Sequence, residues 1–391
     1  MSHINTDRTS HNLFSVPGRG NSESLSSSRQ GSNQLFVNEY HSAVDAQELM
    51  ATALALVNPR GKGIYASDES PDVMTAILNT VVADGSEKQV NEEENKARRR
   101  KWKAFAFNAI SSGYVSGAIL HAESLIDFKL APMLSDKGII PGVRANGELT
   151  PIPRSEQEFS VQGLDDLLPR MQAARAAGAR FSKWRVPIAC SSKDRGYPSE
   201  LSLDIQADTL AQFAAVSQQA GLVPIVEPDV EFSRDADLRR SVEVHERTIS
   251  LIYERMKAHG VLLEGSLIKP SFPQPGLKHS SRGNTIAKDI ALATATMLLR
   301  SIPIAVPGVL FLSGGLPSSI ATEYLSALNA LVLSSDPQSA LHRLPNMSFS
   351  FGRALQGEPI KHWVNGEETE AEKAFEKWSK ACWHAARGEA L

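Results

Sequence analysis

The chain has 391 residues, 42% of them hydrophobic and 22% charged, and a formal net charge of −3. That composition supports a full-sized core, and the near-neutral balance gives no ground for a nucleic-acid or membrane-surface partner. Two cysteines, Cys190 and Cys382, are too few for a disulfide framework or a zinc site and read as free thiols, while no apolar run approaches the roughly 18 residues of a membrane span.

Residues 1–36 are rich in Ser, Asn, Gly and Arg and poor in acids. They hold too little apolar surface to offset ordering entropy, so the segment is predicted to be disordered. It lacks the apolar centre of a secretory signal. Its composition also suits a transit peptide, without a clear amphipathic helix, and the last residues, Gly388-Glu389-Ala390-Leu391, match no retention address. A cytoplasmic location is the default.

Residues 37–391 are predicted to form one domain. Apolar runs at 63–66, 117–121, 139–143, 181–186, 223–226, 267–269, 309–312 and 347–351 read as buried strands. Segments near 44–57, 91–112, 164–177, 204–220, 236–259, 284–301, 317–333 and 369–386 carry helical periodicity. Eight strands alternating with helices predict a (β/α)8 TIM barrel. No glycine-rich dinucleotide fingerprint follows any strand, and Gly61-Lys62-Gly63 is too short for a phosphate loop. The run Glu92-Glu93-Glu94 to Arg98-Arg99-Arg100-Lys101 reads as a solvated helix face.

In such a barrel the C-terminal ends of the strands carry the chemistry. Here those ends bring Asp68 and Glu69, Lys183 and Arg185, Glu227 and Asp229, Lys269, Ser313-Gly314-Gly315, and Gly352-Arg353. Each alone has an ordinary explanation as a solvated or ion-paired side chain. Together, two lysines, two arginines and four acids converge on one rim, and charges are seldom buried unless paired. Such a rim suits carbonyl activation by an amine. Lys269 follows apolar Leu267-Ile268, Lys183 supplies a second cation, and Glu227, Asp229 and Asp68 are candidates for proton transfer. A glycine pair after a strand exposes N–H groups to an anion, and an arginine beyond the last strand adds a charge-assisted contact to the same phosphate. No His, Cys and carboxylate set has metal-ligand spacing, so a route without metal or cofactor is favoured.

From about Ala43 to Trp383 the sequence resembles the class I, Schiff-base fructose-bisphosphate aldolases. The resemblance rests on Gly61-Lys62-Gly63-Ile64 with Asp68-Glu69-Ser70, on Gln162-Gly163-Leu164-Asp165, on Phe181-Ser182-Lys183-Trp184-Arg185, and on Val223-Pro224-Ile225-Val226-Glu227-Pro228. It rests further on Leu263-Glu264-Gly265-Ser266-Leu267-Ile268-Lys269-Pro270, on Phe311-Leu312-Ser313-Gly314-Gly315, and on Ser348-Phe349-Ser350-Phe351-Gly352-Arg353. It implies a homotetrameric sugar-phosphate lyase of glycolysis and gluconeogenesis. It casts Lys269 as the Schiff-base lysine, Glu227 as its proton handler, Lys183 as the group that eases deprotonation of Lys269, and Asp68 as the group that holds Lys269. Asp229 stands where the family usually has Glu. Arg185 is implied on the distal side of the substrate, and Ser313, Gly314, Gly315, Gly352 and Arg353 around the phosphate of the dihydroxyacetone half. Ser70 and Arg144 are implied at the second phosphate.

The departures cluster. After Ser70 the chain continues Pro71-Asp72-Val73-Met74-Thr75-Ala76-Ile77. Val73 stands where the family offers a hydroxyl to the second phosphate, Ala76 and Ile77 where basic side chains are usual, and Arg144 where a lysine is usual. The family's tail ends in a tyrosine that assists proton exchange, whereas the last tyrosine here is Tyr324, which implies slow protonation of the enamine. The leading reading is cleavage of fructose 1,6-bisphosphate. Beside it stand a related enzyme that joins dihydroxyacetone phosphate to a different aldehyde, phosphorylated or not, in a side or biosynthetic pathway, and a non-catalytic barrel scaffold.

Overall fold

The computed structural model describes residues 40–80 and 91–389; the predicted disordered extension over 1–36 lies outside the described residues. The chain runs α1 (Ala43–Val57), β1 (Gly63–Ser67), α2 (Pro71–Thr80), α3 (Glu92–Ala109), β2 (Val115–Leu120), a π-turn at Glu123–Asp127, α4 (Ala131–Ser135) and β3 (Ile140–Arg144). It continues β4 (Leu149–Pro151), β5 (Phe159–Val161), α5 (Leu167–Ala176), β6 (Phe181–Ile188), α6 (Glu200–Gln219), β7 (Val223–Val230), α7 (Leu238–Ala258) and β8 (Leu267–Ile268). It closes with α8 (Ala287–Ser301), β9 (Gly308–Phe311), α9 (Ser318–Leu333), β10 (Asn346–Phe351), α10 (Arg353–Val364) and α11 (Glu368–Ala386). Strands β4 and β5 form a separate antiparallel hairpin. The other eight close into a barrel in the order β1-β10-β9-β8-β7-β6-β3-β2, and every pairing in it is parallel. The predicted (β/α)8 fold is the observed one.

The two-residue period of a strand explains how the barrel core becomes a site. Ile64 and Ala66 of β1, Phe181 of β6, Val223 and Ile225 of β7, Leu267 of β8 and Leu310 of β9 belong to one buried cluster, which Leu49, Ala53, Leu56 and Val57 of α1 also join. Interior space is tight. A Cβ on Gly142 of β3 would lie 2.3 Å from the Phe181 ring, so this position takes no side chain. Continuing each strand by the same period reaches Asp68, Lys183 and Arg185, Glu227 and Asp229, and Lys269. The alternate residues Trp184, Val186, Val226, Ile268, Val309 and Phe311 face the helices in the larger outer cluster.

All eight predicted strands and all eight predicted helices are present, with shifted ends. Helix α6 starts at Glu200 because Ser199 caps it, accepting from the Ser202 amide, and Asp237 caps α7 in the same way. Four features were absent from the sequence reading: α2, α4, the β4–β5 hairpin and α10. Pro359 inside α10 masks its helical pattern, and Gly357 weakens it further. The solvated reading of the Glu92–Lys101 run is corrected at Arg99. That guanidinium is buried and bonded to Glu123, Glu92 and Thr75, which fastens α3 to α2 and to the π-turn. Both cysteines are free and buried. Among the described residues no helix is long and apolar enough to cross a membrane.

Candidate active site

A cavity of about 830 Å³ opens at the C-terminal end of the barrel. Its floor is a chain of alternating charges. Asp68 Oδ2 lies 2.7 Å from Lys183 Nζ, which lies 3.1 Å from Glu227 Oε2; the other Glu227 oxygen, Oε1, is 3.2 Å from Lys269 Nζ. Both lysines and Glu227 are buried. Burying such charges is costly unless they are paired, and here two amines alternate with two carboxylates.

Burial alone would raise the Asp68 carboxyl, but Lys183, Lys269 and Arg144 outweigh it and hold it well below the usual carboxylate range. Glu227 is likewise pushed up by burial and pulled down further by Lys183 and Lys269, with a net downward shift. Burial works against the Lys183 ammonium, yet Asp68 and Glu227 raise it above an ordinary lysine. The resting floor therefore holds two carboxylates and a firmly charged Lys183. Glu227 Oε2 is buried and accepts no hydrogen bond; Lys183 is near it but not aligned. A buried acceptor left open in a cavity is suited to a hydrogen-bonding substrate group.

Further up the wall Arg185 Nε and Nη2 contact the same Asp229 oxygen at 2.8 and 2.7 Å. Below the rim, Glu69 pairs with Lys103 at 2.8 Å and accepts from Gln356, which also accepts from the Tyr65 hydroxyl. Lys103 also donates to the Ser67 carbonyl and hydroxyl at 2.9 and 2.8 Å. Glu69 is thus a structural tie that fixes the end of β1, although it lines the cavity.

On the β9–β10 side lie Ser313, Gly314, Gly352 and Arg353. Gly314 and Gly315 both adopt left-handed backbone, φ +56° and +84°, which suits glycine and turns successive N–H groups toward one locus. A Cβ on Gly352 would come 2.8 Å from the Ala66 carbonyl oxygen, so glycine is required where β10 meets α10. Arg353 opens the twelve-residue α10, and among the described residues no carboxylate pairs with it.

Twelve of the thirteen residues singled out from the sequence line this one cavity: Asp68, Ser70, Arg144, Lys183, Arg185, Glu227, Asp229, Lys269, Ser313, Gly314, Gly352 and Arg353. Gly315 is not among its lining; it backs onto Arg353 instead, with a Cβ position 3.1 Å from the guanidinium. Sequence reasoning passed over Glu231, which also lines the cavity. It lies one residue past β7 and continues the two-residue period of Glu227 and Asp229, a signal that was present. Burial and the neighbouring Asp229 raise its pKa. Among the apolar lining residues, which also include Ala66, Phe232, Leu277 and Leu312, the group Val73, Ile77 and Leu149 was invisible as such, because Leu149 enters from the unpredicted hairpin. Among the described residues no group of three His, Cys, Asp or Glu side chains is placed to hold a metal ion.

A closed parallel barrel with buried amines and carboxylates alternating at its C-terminal rim defines an enzyme of the (β/α)8 class equipped to act on a carbonyl. Residues 48–390 match the family model described as Fructose-bisphosphate aldolase class-I. Fructose-bisphosphate aldolase B of Gallus gallus is 36% identical over 336 residues, covering 84% of this chain and 87% of the relative. The aldolase of Dictyostelium discoideum is 36% identical over 338 residues, covering 84% and 88%. A solved structure of the Plasmodium falciparum aldolase, in complex with TRAP and a small-molecule inhibitor, superposes with a TM-score of 0.80 at 31% identity, covering 90% of this chain and 97% of that one. The chain belongs to the class I fructose-bisphosphate aldolase family, carbon–carbon lyases that cleave fructose 1,6-bisphosphate.

Proposed function

We propose that the chain cleaves fructose 1,6-bisphosphate reversibly to dihydroxyacetone phosphate and glyceraldehyde 3-phosphate through a Schiff base on Lys269. The observation that carries this reading is the buried Lys269–Glu227 pair at 3.2 Å, at the floor of a cavity open to a ketose. A neutral amine is needed for attack, and Glu227 is in reach to take the Lys269 proton. The Lys269 nitrogen adds to the ketose C2 carbonyl and gives a carbinolamine. At that stage one of the two cations that depress Glu227 is gone, so its hold on the proton strengthens. Glu227 then delivers that proton to the departing hydroxyl, water leaves, and a cationic iminium remains.

The iminium draws the C3–C4 bonding pair toward C2 as a carboxylate takes the proton of the C4 hydroxyl. The aldehyde departs and an enamine stays on Lys269. Protonation at C3 and attack by water release dihydroxyacetone phosphate and restore the amine. Asp68, held anionic, orients Lys183 and accepts substrate hydroxyls. Asp229 fixes Arg185 against the distal hydroxyls. Ser313, the Gly314 amide and Arg353 hold the phosphate of the ketone half at the positive end of α10. Ser70 and Arg144 border the other end of the substrate. By family membership the enzyme is a cytoplasmic homotetramer, a state that light scattering of the purified chain measures directly.

Borohydride trapping tests the chemistry. Incubation with dihydroxyacetone phosphate followed by reduction should leave a stable adduct on the peptide bearing Lys269, absent from Lys269→Ala. A folded sample that forms no adduct, or forms it elsewhere, overturns the reading.

A further inference from the structure

The two ends of the cavity differ in a way that bears on which aldehyde it accepts. Helix α2 follows β1 and presents Val73 and Ile77, four residues apart and so on one face, to the cavity, while Met74 and Leu78 on another face are buried in the core. Leu149, at the start of the β4–β5 hairpin beyond β3, lines the same cavity. Val73 is 50% exposed and Leu149 44% exposed, so this apolar surface is wet in the empty site. Strands β1, β2 and β3 are consecutive neighbours in the barrel, which places these side chains on one sector of the rim.

The charges of that sector do not favour a phosphate. Its one cation among the cavity-lining residues is Arg144, whose guanidinium already faces Glu148 at 3.7 Å and the carbonyls of Asn146, Gly147 and Asp68 at 3.2, 3.4 and 3.5 Å. Arg99 and Lys103 lie behind this sector, against Thr75 and Glu69, but both are buried and bonded to carboxylates of the scaffold. The lining acids Asp68, Glu69 and Glu148 are each already paired, with Lys183, Lys103 and Arg144. A dianion there finds no cation that lacks a carboxylate partner among the cavity-lining residues of this sector. An aliphatic tail covers Val73, Ile77 and Leu149 and removes their surface from water.

We propose that the aldehyde half of this site recognises an uncharged aldehyde with a short aliphatic tail, held by Val73, Ile77 and Leu149, in preference to a phosphorylated one. The inference rests on the Schiff-base reading above and concerns only the partner. The enamine carbon attacks the aldehyde carbonyl, a C–C bond forms, the former carbonyl oxygen takes a proton, and water hydrolyses the iminium to release a ketose 1-phosphate. Cleavage of fructose 1,6-bisphosphate persists as the slower use of the same floor.

The test is condensation of dihydroxyacetone phosphate with ethanal, propanal, butanal and pentanal, each compared with glyceraldehyde 3-phosphate. kcat/KM should rise by roughly fourfold with each added methylene, the size of the transfer free energy of a buried CH2, and pentanal should surpass the phosphorylated aldehyde. Val73→Ser combined with Ile77→Lys should flatten the series and raise use of glyceraldehyde 3-phosphate. A flat series in the unaltered enzyme, or a phosphorylated aldehyde preferred over every uncharged one, overturns the proposal even where the double variant fails to fold. Borohydride trapping on the same unaltered sample, with no aldehyde added, separates the two failures: an adduct on Lys269 means that only the specificity inference is wrong.

Discussion

The β9–β10 end of the cavity and its β1–β3 end are built on opposite plans. The first offers an arginine with no carboxylate partner among the described residues, a helix N-terminus and two consecutive left-handed glycines. The second offers an arginine already facing Glu148 and three backbone carbonyls, two further acids already paired with lysines, and an apolar patch. Between them lies the lysine–carboxylate floor. The difference shows that phosphate recognition depends less on the presence of an arginine than on whether that arginine has donors to spare. A guanidinium bonded within the protein has little left to offer a ligand.

The floor serves both ends, so changes there should abolish the contrast. Lys269→Ala should lower kcat by roughly 10⁴-fold or more for every substrate, as loss of a covalent nucleophile does, measured by steady-state cleavage and by loss of the trapped adduct. Glu227→Gln should lower kcat by about 10²- to 10⁴-fold, the range of general acid–base catalysis. Because Lys183 and Lys269 outweigh burial and hold Glu227 below its ordinary value, the anion persists as pH falls through the normal glutamate range. The acidic limb of the kcat/KM profile, which reports the free enzyme, should therefore lie below about pH 4.3 and vanish in Glu227→Gln. A limb near pH 6 in the unaltered enzyme would contradict that assignment.

Arg353→Ala should break the phosphate end alone. A charge-assisted bond is worth about 1.5–3 kcal/mol, so KM for dihydroxyacetone phosphate should rise about 10- to 150-fold with kcat changed less. The yield of adduct at saturating ketone should recover, which distinguishes lost binding from lost chemistry.

How much of this was legible in the sequence follows the same division. The floor was readable because strand period is local. Leu267 to Lys269, and Val223 and Ile225 to Glu227 and Asp229, continue one face from core to rim, and the same step would have reached Glu231. The phosphate end was readable from glycines after a strand, with Gly315 displaced to the back of Arg353. The β1–β3 end was legible only in part, through the departures at Val73, Ile77 and Arg144. Its apolar patch joins Val73 and Ile77 of α2 to Leu149 of a hairpin far along the chain, and its key arginine is silenced by carbonyls that no sequence pattern displays. Arg99 failed for a related reason: in a run of three consecutive arginines, only tertiary contact with Glu123 decides which one turns inward.

The smallest effect is the one that sharpens the comparison most. Arg144→Ala removes a guanidinium that lines the cavity, as Arg353→Ala does, yet its donors already face Glu148 and the carbonyls of Asn146, Gly147 and Asp68. Its loss should raise KM for uncharged aldehydes and for glyceraldehyde 3-phosphate alike by less than about threefold, within the 0–1 kcal/mol typical of a partly solvated ion pair. The two variants thus pose the same chemical deletion at two ends of one cavity. If Arg144→Ala raised KM for the phosphorylated aldehyde by tenfold or more and left uncharged aldehydes alone, the guanidinium would have to leave its protein partners when substrate binds, and the two ends would be alike after all.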